Sequence, residues 1–331
     1  MTPVKLALIG LGRMGRVHAS ALATLDLMDV VVVADPHPAT PEHVRKFFPR
    51  AETVSSYTDA VQRVEACLIV SPTPLHPEMV GAALDAGVHV LCEKPLSLQP
   101  SVARELANRA NDLGKILQIG HWRRFSPPWR EAKRLVASGA IGTPVWIRLS
   151  QWDANPPPAS FCDPAVSGGL AVDCGVHEYD LAEWLFDERA CAVRAWNLPL
   201  VDRSLAEVGD VDNLCAVLEF PSGRTAVVDL SRNSRYGDDV RTEILGEQGA
   251  VFVDLLPHGQ LRVANGDGVR VVSDGHSSDA TLDGVRRQAE VFAQIIRGAA
   301  HPYPNGIDSA RSTLIGLAVA ESAREKRTVQ L

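Results

Sequence analysis

Strand-length apolar runs alternate with helical stretches over the first third of the chain, and several consecutive strand-like runs follow later without helices between them. That order predicts an α/β fold with an N-terminal doubly wound parallel sheet. A C-terminal α/β domain with a large, open, mostly antiparallel sheet is expected to follow. The length agrees: at roughly 150 residues per domain, a chain of 331 residues makes two domains. The expected division is 1–120 and 121–331, with the last helix free to pack back on the first domain.

Val4 to Ile9 is an apolar run of strand length, and Gly10-Leu11-Gly12-Arg13-Met14-Gly15 leads from it into a helical stretch ending near Leu25. Val30 to Ala34 is almost pure valine. A strand that is apolar on both faces belongs in a parallel sheet covered by helices. Ala66 to Val70, Val88 to Cys92 and Ile116 to Ile119 supply three more strands. A helix fits Pro77 to Ala86, with Pro77 in its first turn and Gly87 beyond its end. Another fits Leu98 to Leu113, with Ser97 as N-cap and Gly114 as the residue that ends it. In the second domain a helix at Pro128 to Ser138 precedes a strand at Val145 to Gln151, and a helical period runs through Phe186. Strands at Cys191 to Trp196, Leu214 to Phe220, Arg224 to Leu230, Val240 to Leu245 and Ala250 to Val253 follow, and Ser309 to Glu325 closes the chain as a helix. One broad face of the second sheet is left for a partner subunit.

Composition excludes several classes. Lys and Arg number 33 against 40 Asp and Glu, a net charge of -7, which is the wrong sign for a nucleic-acid or membrane-surface binder. No apolar run approaches the roughly 18 residues of a membrane span. The six cysteines are scattered and form no C-x-x-C, the usage of reduced thiols in a cytoplasmic protein. No metal site is expected.

The glycine run carries a mechanism. Gly10 permits the tight turn after the first strand, Gly12 lets the backbone approach a pyrophosphate, and Gly15 lets the helix pack closely. The helix start then offers free N–H groups to the phosphates; Leu11, Arg13 and Met14 complete the loop. A lone G-x-G-x-x-G is weak evidence, but here it follows a strand, opens a helix, and has Asp35 at the end of the second strand. A carboxylate there accepts from ribose hydroxyls and repels a 2′-phosphate, so NAD is expected over NADP. The loop Ser71-Pro72-Thr73-Pro74-Leu75-His76 lies at the carboxyl end of the third strand, where open α/β sheets bind ligands. Ser71, Thr73 and His76 are candidates to touch the cofactor. The alternative is a loop stiffened by its prolines for stability alone.

Glu93-Lys94-Pro95 stands at the corresponding end of the fourth strand. Lys94 is suited to stabilising negative charge on a substrate oxygen, and both Glu93 and Lys94 fall where a cofactor binds. A surface salt bridge is the alternative. On the later helix Asp173 and His177 are four apart and share a face, with Asp180 three further along. A histidine beside a carboxylate is a natural general base. Zinc is a rival with too few ligands, and a helix-surface pair without function is the other.

These residues together resemble the glucose-fructose oxidoreductase / inositol dehydrogenase family (Gfo/Idh/MocA), most of all its inositol 2-dehydrogenases. The resemblance is carried by Gly10 to His18, Glu93-Lys94-Pro95, Gly120 to Phe125, Asp153 with Pro156-Pro157-Pro158, Ser167-Gly168-Gly169, Asp173 with His177 and Asp180, Tyr236-Gly237, and Gly246 to Gly249. It implies a Rossmann domain, NAD, and a catalytic set of Lys94, Asp173 and His177. It implies substrate contacts from Arg124, Asp153, Asn155, His177 and Tyr236. It implies a cyclic polyol or sugar as the hydride donor, and a homodimer or homotetramer built through the C-terminal sheet. The alternatives are an enzyme of the same family for another sugar, keto-sugar or dihydrodiol, and a nucleotide-sensing regulatory protein without turnover. The chain departs from the inositol-type pattern at Trp152, where an arginine is usual, and at Asp238, where a tyrosine is usual.

Overall fold

The computed structural model describes residues 2–37, 40–154, 156–254, 260–266, 268–273 and 280–331. The chain forms two compact units, one of Met1–Ser126 with Thr281–Ala310, the other of Pro127–Ala280 with Arg311–Leu331. The sequence reading divided the chain after residue 120. The compact units divide it after Ser126, and the last helix, Gly306–Glu325, belongs to the second unit from Arg311 onward.

The first unit holds a six-stranded parallel sheet: β1 (Val4–Ile9), β2 (Met28–Ala34), β3 (Glu52–Val54), β4 (Ala66–Ile69), β5 (His89–Cys92) and β6 (Leu117–Ile119), in the order β3-β2-β1-β4-β5-β6. The order reverses between β1 and β4, so a crevice opens at the carboxyl ends of these two strands. Alternate residues feed opposite cores. Leu6 and Leu8 join one cluster with Val33 and Leu68, while Ala7 and Ile9 join another with Val32, Cys67 and Val90. Burial of both faces is why β2 reads as unbroken valine. A helix at Ala280–Ile296 seals one face with Ala289, Phe292 and Ala293. The sequence reading omitted this helix, although its buried residues recur at helical spacing. Ser97, expected as the N-cap of the helix at 98–113, instead accepts the Gln99 N–H at 3.0 Å in the preceding turn; the helix begins at Pro100.

The second unit holds nine strands among the described residues: β7 (Pro144–Trp152), β8 (Ala192–Asn197), β9 (Asn213–Glu219), β10 (Thr225–Ser231), β11 (Asp239–Gly246), β12 (Gly249–Asp254), β13 (Gln260–Asn265), β14 (Gly268–Ser273) and β15 (Val329–Gln330). All neighbours are antiparallel except β7 and β10. The sequence reading lacked β3, β13, β14 and β15; β3 and β15 have three and two residues, and β3, β14 and β15 stand at sheet edges. One sheet face is apolar, with Ile147, Leu149, Leu218, Val228 and Ile244 buried. The helix Gly175–Phe186 covers it, as does Pro127–Ala137, whose buried Trp129 donates Nε1–H to Thr242 Oγ1 at 3.0 Å. The opposite face alternates with it and stays partly exposed, Trp196 at 45% and Leu245 at 49%. No helix among the described residues is long and apolar enough to cross a membrane.

Candidate active site

The two units each carry part of the predicted site, and each part is built differently.

In the first unit the chain leaves β1 at Gly10, which has φ +94° and whose added Cβ would stand 2.5 Å from the Val70 carbonyl oxygen. At Gly15 a Cβ would stand 2.4 Å from the Gly10 carbonyl oxygen, so the helix Arg13–Leu22 rests directly on the turn. At Gly12, the helix N-cap, nothing lies within 4 Å of the Cβ position. The turn is therefore closed against the protein at two glycines and open at the third. That opening, beside the unpaired N–H groups of Arg13 and Met14 in the first helical turn, fits a pyrophosphate. Asp35 adjoins the same turn: its Oδ2 accepts the Leu11 N–H at 2.7 Å, and its Oδ1 accepts from His37 N–H at 2.8 Å and Thr40 Oγ1 at 3.0 Å. The carboxylate is thus fixed at the carboxyl end of β2, where the dinucleotide reading requires it.

The other candidates of this unit fall into two kinds. Thr73 begins a short 3₁₀ turn and is partly exposed, and the Ser71 hydroxyl is buried with no hydrogen-bond partner among the described residues. His76 is buried, with Nδ1 2.8 Å from the Pro95 carbonyl oxygen and Nε2 2.8 Å from the Ser71 carbonyl oxygen. Both nitrogens are committed to the protein, so His76 ties this loop to the segment after β5 instead of reaching out. Burial pushes its pKa down, against the two carbonyls that favour the protonated ring. A neutral imidazole donates to only one of them.

Glu93 is no surface residue. It is 7% exposed, its Oε1 is 2.8 Å from His18 Nε2 on the fully buried side of the helix Arg13–Leu22, and its Oε2 accepts the Lys94 N–H at 3.1 Å. A Cβ at Gly120 would meet this carboxylate at 2.8 Å, so only glycine leaves it room. Burial raises the Glu93 pKa, but the His18 hydrogen bond and the charges of His18 and Lys94 outweigh it, and the net shift is downward. The pair thereby joins the phosphate-facing helix to the backbone of Lys94, which is partly exposed. Arg124 stands on the 3₁₀ turn after β6, its Nη2 3.6 Å from Asp308 Oδ1.

In the second unit the expected continuous helix is two: Gly169–Asp173 and Gly175–Phe186, interrupted at Cys174. Cys174 keeps helical dihedrals (φ -85°, ψ -47°), and the His177 N–H donates to its carbonyl at 3.3 Å, an i to i+3 bond. Asp173 and His177 therefore straddle a tightened turn. A Cβ at Gly175 would meet the Tyr179 ring and hydroxyl at 2.4 to 2.6 Å, so Tyr179 lies against the break. His177 is 7% and Asp180 4% exposed. Asp153, directly after β7, adjoins the same turn: its Oδ2 accepts from Cys174 Sγ at 3.3 Å, and its Oδ1 accepts from Gln151 Nε2 at 3.1 Å. Asp153, Asp173 and His177 are thus gathered in one place. Asn155 lies outside the described residues. Tyr236 is 67% exposed and gives its hydroxyl to Asp239 Oδ2 at 2.5 Å.

The two departures from the expected pattern separate here. Asp238 Oδ1 accepts the Ala154 N–H at 2.8 Å and so steadies the segment beside Asp153. Trp152 sits on the other face of β7, where its Nε1 donates to Asp229 Oδ1 at 2.6 Å and Arg241 lies 5.2 Å above its ring. Two charged residues escaped the sequence reading altogether: Asp210 and Arg232. Arg232 follows a strand of alternating burial, where a charge stands out less than Glu93-Lys94 does after the buried β5. No cluster of three or more His, Cys, Asp or Glu that could hold a metal exists among the described residues.

Comparison with known proteins agrees with this geometry. Residues 4–121 match an oxidoreductase family with an NAD-binding Rossmann fold, and residues 129–252 match the GFO/IDH/MocA C-terminal domain. The chain is 30% identical to a scyllo-inositol 2-dehydrogenase (NAD(+)) of Bacillus subtilis over 99% of its length and 96% of the relative's. It is also 30% identical to a myo-inositol 2-dehydrogenase of Thermotoga maritima, covering 99% and 98%. Among solved structures, scyllo-inositol dehydrogenase from Lactobacillus casei with bound NAD(H) and scyllo-inositol superposes with a TM-score of 0.87 at 27% identity over 99% of both chains. The glycine turn open at Gly12, the fixed Asp35 and these matches over nearly the whole length place the chain in the Gfo/Idh/MocA family of NAD-binding oxidoreductases that act on CH–OH groups.

Proposed function

We propose that this chain is an NAD-dependent dehydrogenase of a cyclic polyol of the inositol type. The observation that carries the reading is the gathering of Asp153, Asp173 and buried His177 around the Cys174 break. Bound NAD+ supplies the acceptor for the hydride that leaves the substrate carbon. The chain's own residues do the rest. His177 takes the hydroxyl proton, and Asp173 orients its imidazole and supports the charge it gains. Lys94 donates to the substrate oxygen as negative charge develops there. Arg124, Asp153, Asn155 and Tyr236 hold the remaining hydroxyls, and recognition through several such bonds rejects analogues that lack one. Domain assignments follow: residues 1–120 bind the dinucleotide and residues 121–331 supply most of the contacts to the polyol. The partly exposed sheet face with Trp196 and Leu245 is the surface through which copies of the chain assemble. Six cysteines without disulfides fit a reducing, cytoplasmic setting.

The test is NADH formation with myo-, scyllo- and D-chiro-inositol, glucose, galactose and xylose, each with NAD and NADP. Turnover on an inositol with NAD is the expected result. Silence on every inositol, or a higher kcat/KM with NADP, overturns the reading.

A further inference from the structure

The guanidinium of Arg232 takes no part in the roles assigned above, yet it is among the largest fully buried side chains, 1% exposed. It follows β10 and its own N–H donates to the Asp212 carbonyl at 2.9 Å. Its Nη1 donates to Asp210 Oδ2 at 2.5 Å, and its Nη2 lies 3.8 Å from Asp173 Oδ2. Nε and Nη2 are buried and donate to no nitrogen or oxygen among the described residues. A buried cation is costly unless its charge is matched. Here the Cys162 thiol is hydrogen-bonded to the same guanidinium, and Nη2 is the nitrogen that faces Asp173. Burial works against the charge, but the acidic groups of Cys174, Asp210, Cys162 and Asp173 outweigh it and hold the guanidinium's pKa above its ordinary value.

Asp210 completes the arrangement. Its Oδ1 accepts the Leu170 N–H at 2.9 Å, at the start of the one-turn helix Gly169–Asp173. A Cβ at Gly169 would stand 2.7 Å from that oxygen, so glycine there lets the carboxylate close on the helix. Asp210 therefore grips the first turn of this helix, and Arg232, fixed to Asp210, faces Asp173 at its last residue. A guanidinium is always charged and its fork is rigid, so it holds a carboxylate in direction as well as in charge.

We propose that Arg232, anchored by Asp210, is a positioning residue that sets the direction of the Asp173 carboxylate and thereby of the Asp173–His177 pair. The proposal rests on the reading of Asp173 and His177 given above. It acts through Asp173 alone, so it touches turnover and leaves the dinucleotide turn in the other unit unchanged.

A double-mutant cycle on the full chain tests it, read as kcat with NAD and the panel polyol that the wild type oxidises fastest, and as NADH affinity by fluorescence. Arg232→Met is expected to lower kcat about 10- to 100-fold, with NADH affinity unmoved. Arg232→Lys, which keeps the charge and loses the fork, recovers part of the loss. In the Asp173→Asn background the same Arg232→Met change is expected to add no further loss, because its target is gone. An equal loss in both backgrounds, or a loss of NADH affinity along with kcat, overturns the proposal and makes Arg232 a structural residue. Asp173→Asn is measured alone as well. Should it keep wild-type turnover, the acid–base reading fails first; should it lose turnover while Arg232→Met does not, only the present proposal fails. If Arg232→Met unfolds, Arg232→Met/Asp210→Asn removes both buried charges together and replaces it in the cycle.

Discussion

Each unit buries a carboxylate against a basic side chain beneath its candidate residues, and the two pairs differ in kind. In the first unit Glu93 meets His18 at 2.8 Å; in the second Asp210 meets Arg232 at 2.5 Å. Both sit under a candidate residue: Glu93 holds the Lys94 backbone, and the Asp210–Arg232 pair faces Asp173. The imidazole meets its carboxylate through a single ring nitrogen, whereas the guanidinium is a rigid, permanently charged fork that faces two carboxylates. The candidate residues also differ in how they are placed. The glycine turn and Asp35 are fixed by short backbone contacts around one turn, whereas Asp153, Asp173 and His177 come from separate segments that meet at Cys174.

The strongest way to break this division is His177→Ala. A general base contributes about 10²- to 10⁴-fold, so kcat is expected to fall by that order while NADH affinity, measured by fluorescence titration, stays at the wild-type value. Retained turnover, or lost NADH binding, would deny that His177 carries the proton step apart from dinucleotide binding. Next come the glycines. Gly15→Ala forces a Cβ onto the Gly10 carbonyl at 2.4 Å, and overpacking of this kind costs about 1–3 kcal/mol; both Tm and NADH affinity should fall. Gly12→Ala meets no protein atom within 4 Å, so Tm should hold while NADH affinity alone falls. A matching fall in Tm would mean that Gly12 serves the fold.

Glu93 gives a smaller effect with a defined sign. The folded Glu93 carboxyl titrates below its ordinary value of 4.5. Its stabilisation is therefore complete above that value and is lost as pH falls through the folded pKa. Urea unfolding of wild type and Glu93→Gln should differ at pH 7 and converge as the pH is lowered below about 4.5. A gap that widens toward acid would reverse the assignment. The smallest effect belongs to Arg297, which binds Glu65 at 2.8 Å and pulls its carboxyl down to about 2. The Glu65 side chain is 42% exposed, so solvent screening discounts the pair, and Arg297→Ala should cost less than about 1 kcal/mol at pH 7. That contribution should fade as pH drops from 4.5 toward 2.

What the sequence determined by itself was whatever depends on neighbours along the chain. The glycine turn, its strand and helix, and the distance to Asp35 are set by local backbone geometry, so the turn and Asp35 were legible, whereas the burial of His76 between two carbonyls was not. Glu93-Lys94 was legible too, because a charge straight after a buried strand stands out. Helix capping by Ser97 was not, since Pro100 starts the helix and leaves Ser97 in the turn before it. Only the tertiary structure decided which face of β7 looks toward the candidate site, and so that Asp153 adjoins Cys174 while Trp152 meets Asp229 on the opposite face. It alone decided the break at Cys174, where Tyr179 lies against Gly175. It alone brought Asp210 and Arg232, separated along the chain from Asp173, around one carboxylate. Side-chain alternation along a strand is local, but which side becomes the core, and which distant charges meet beneath it, is fixed only when the sheet closes on its helices.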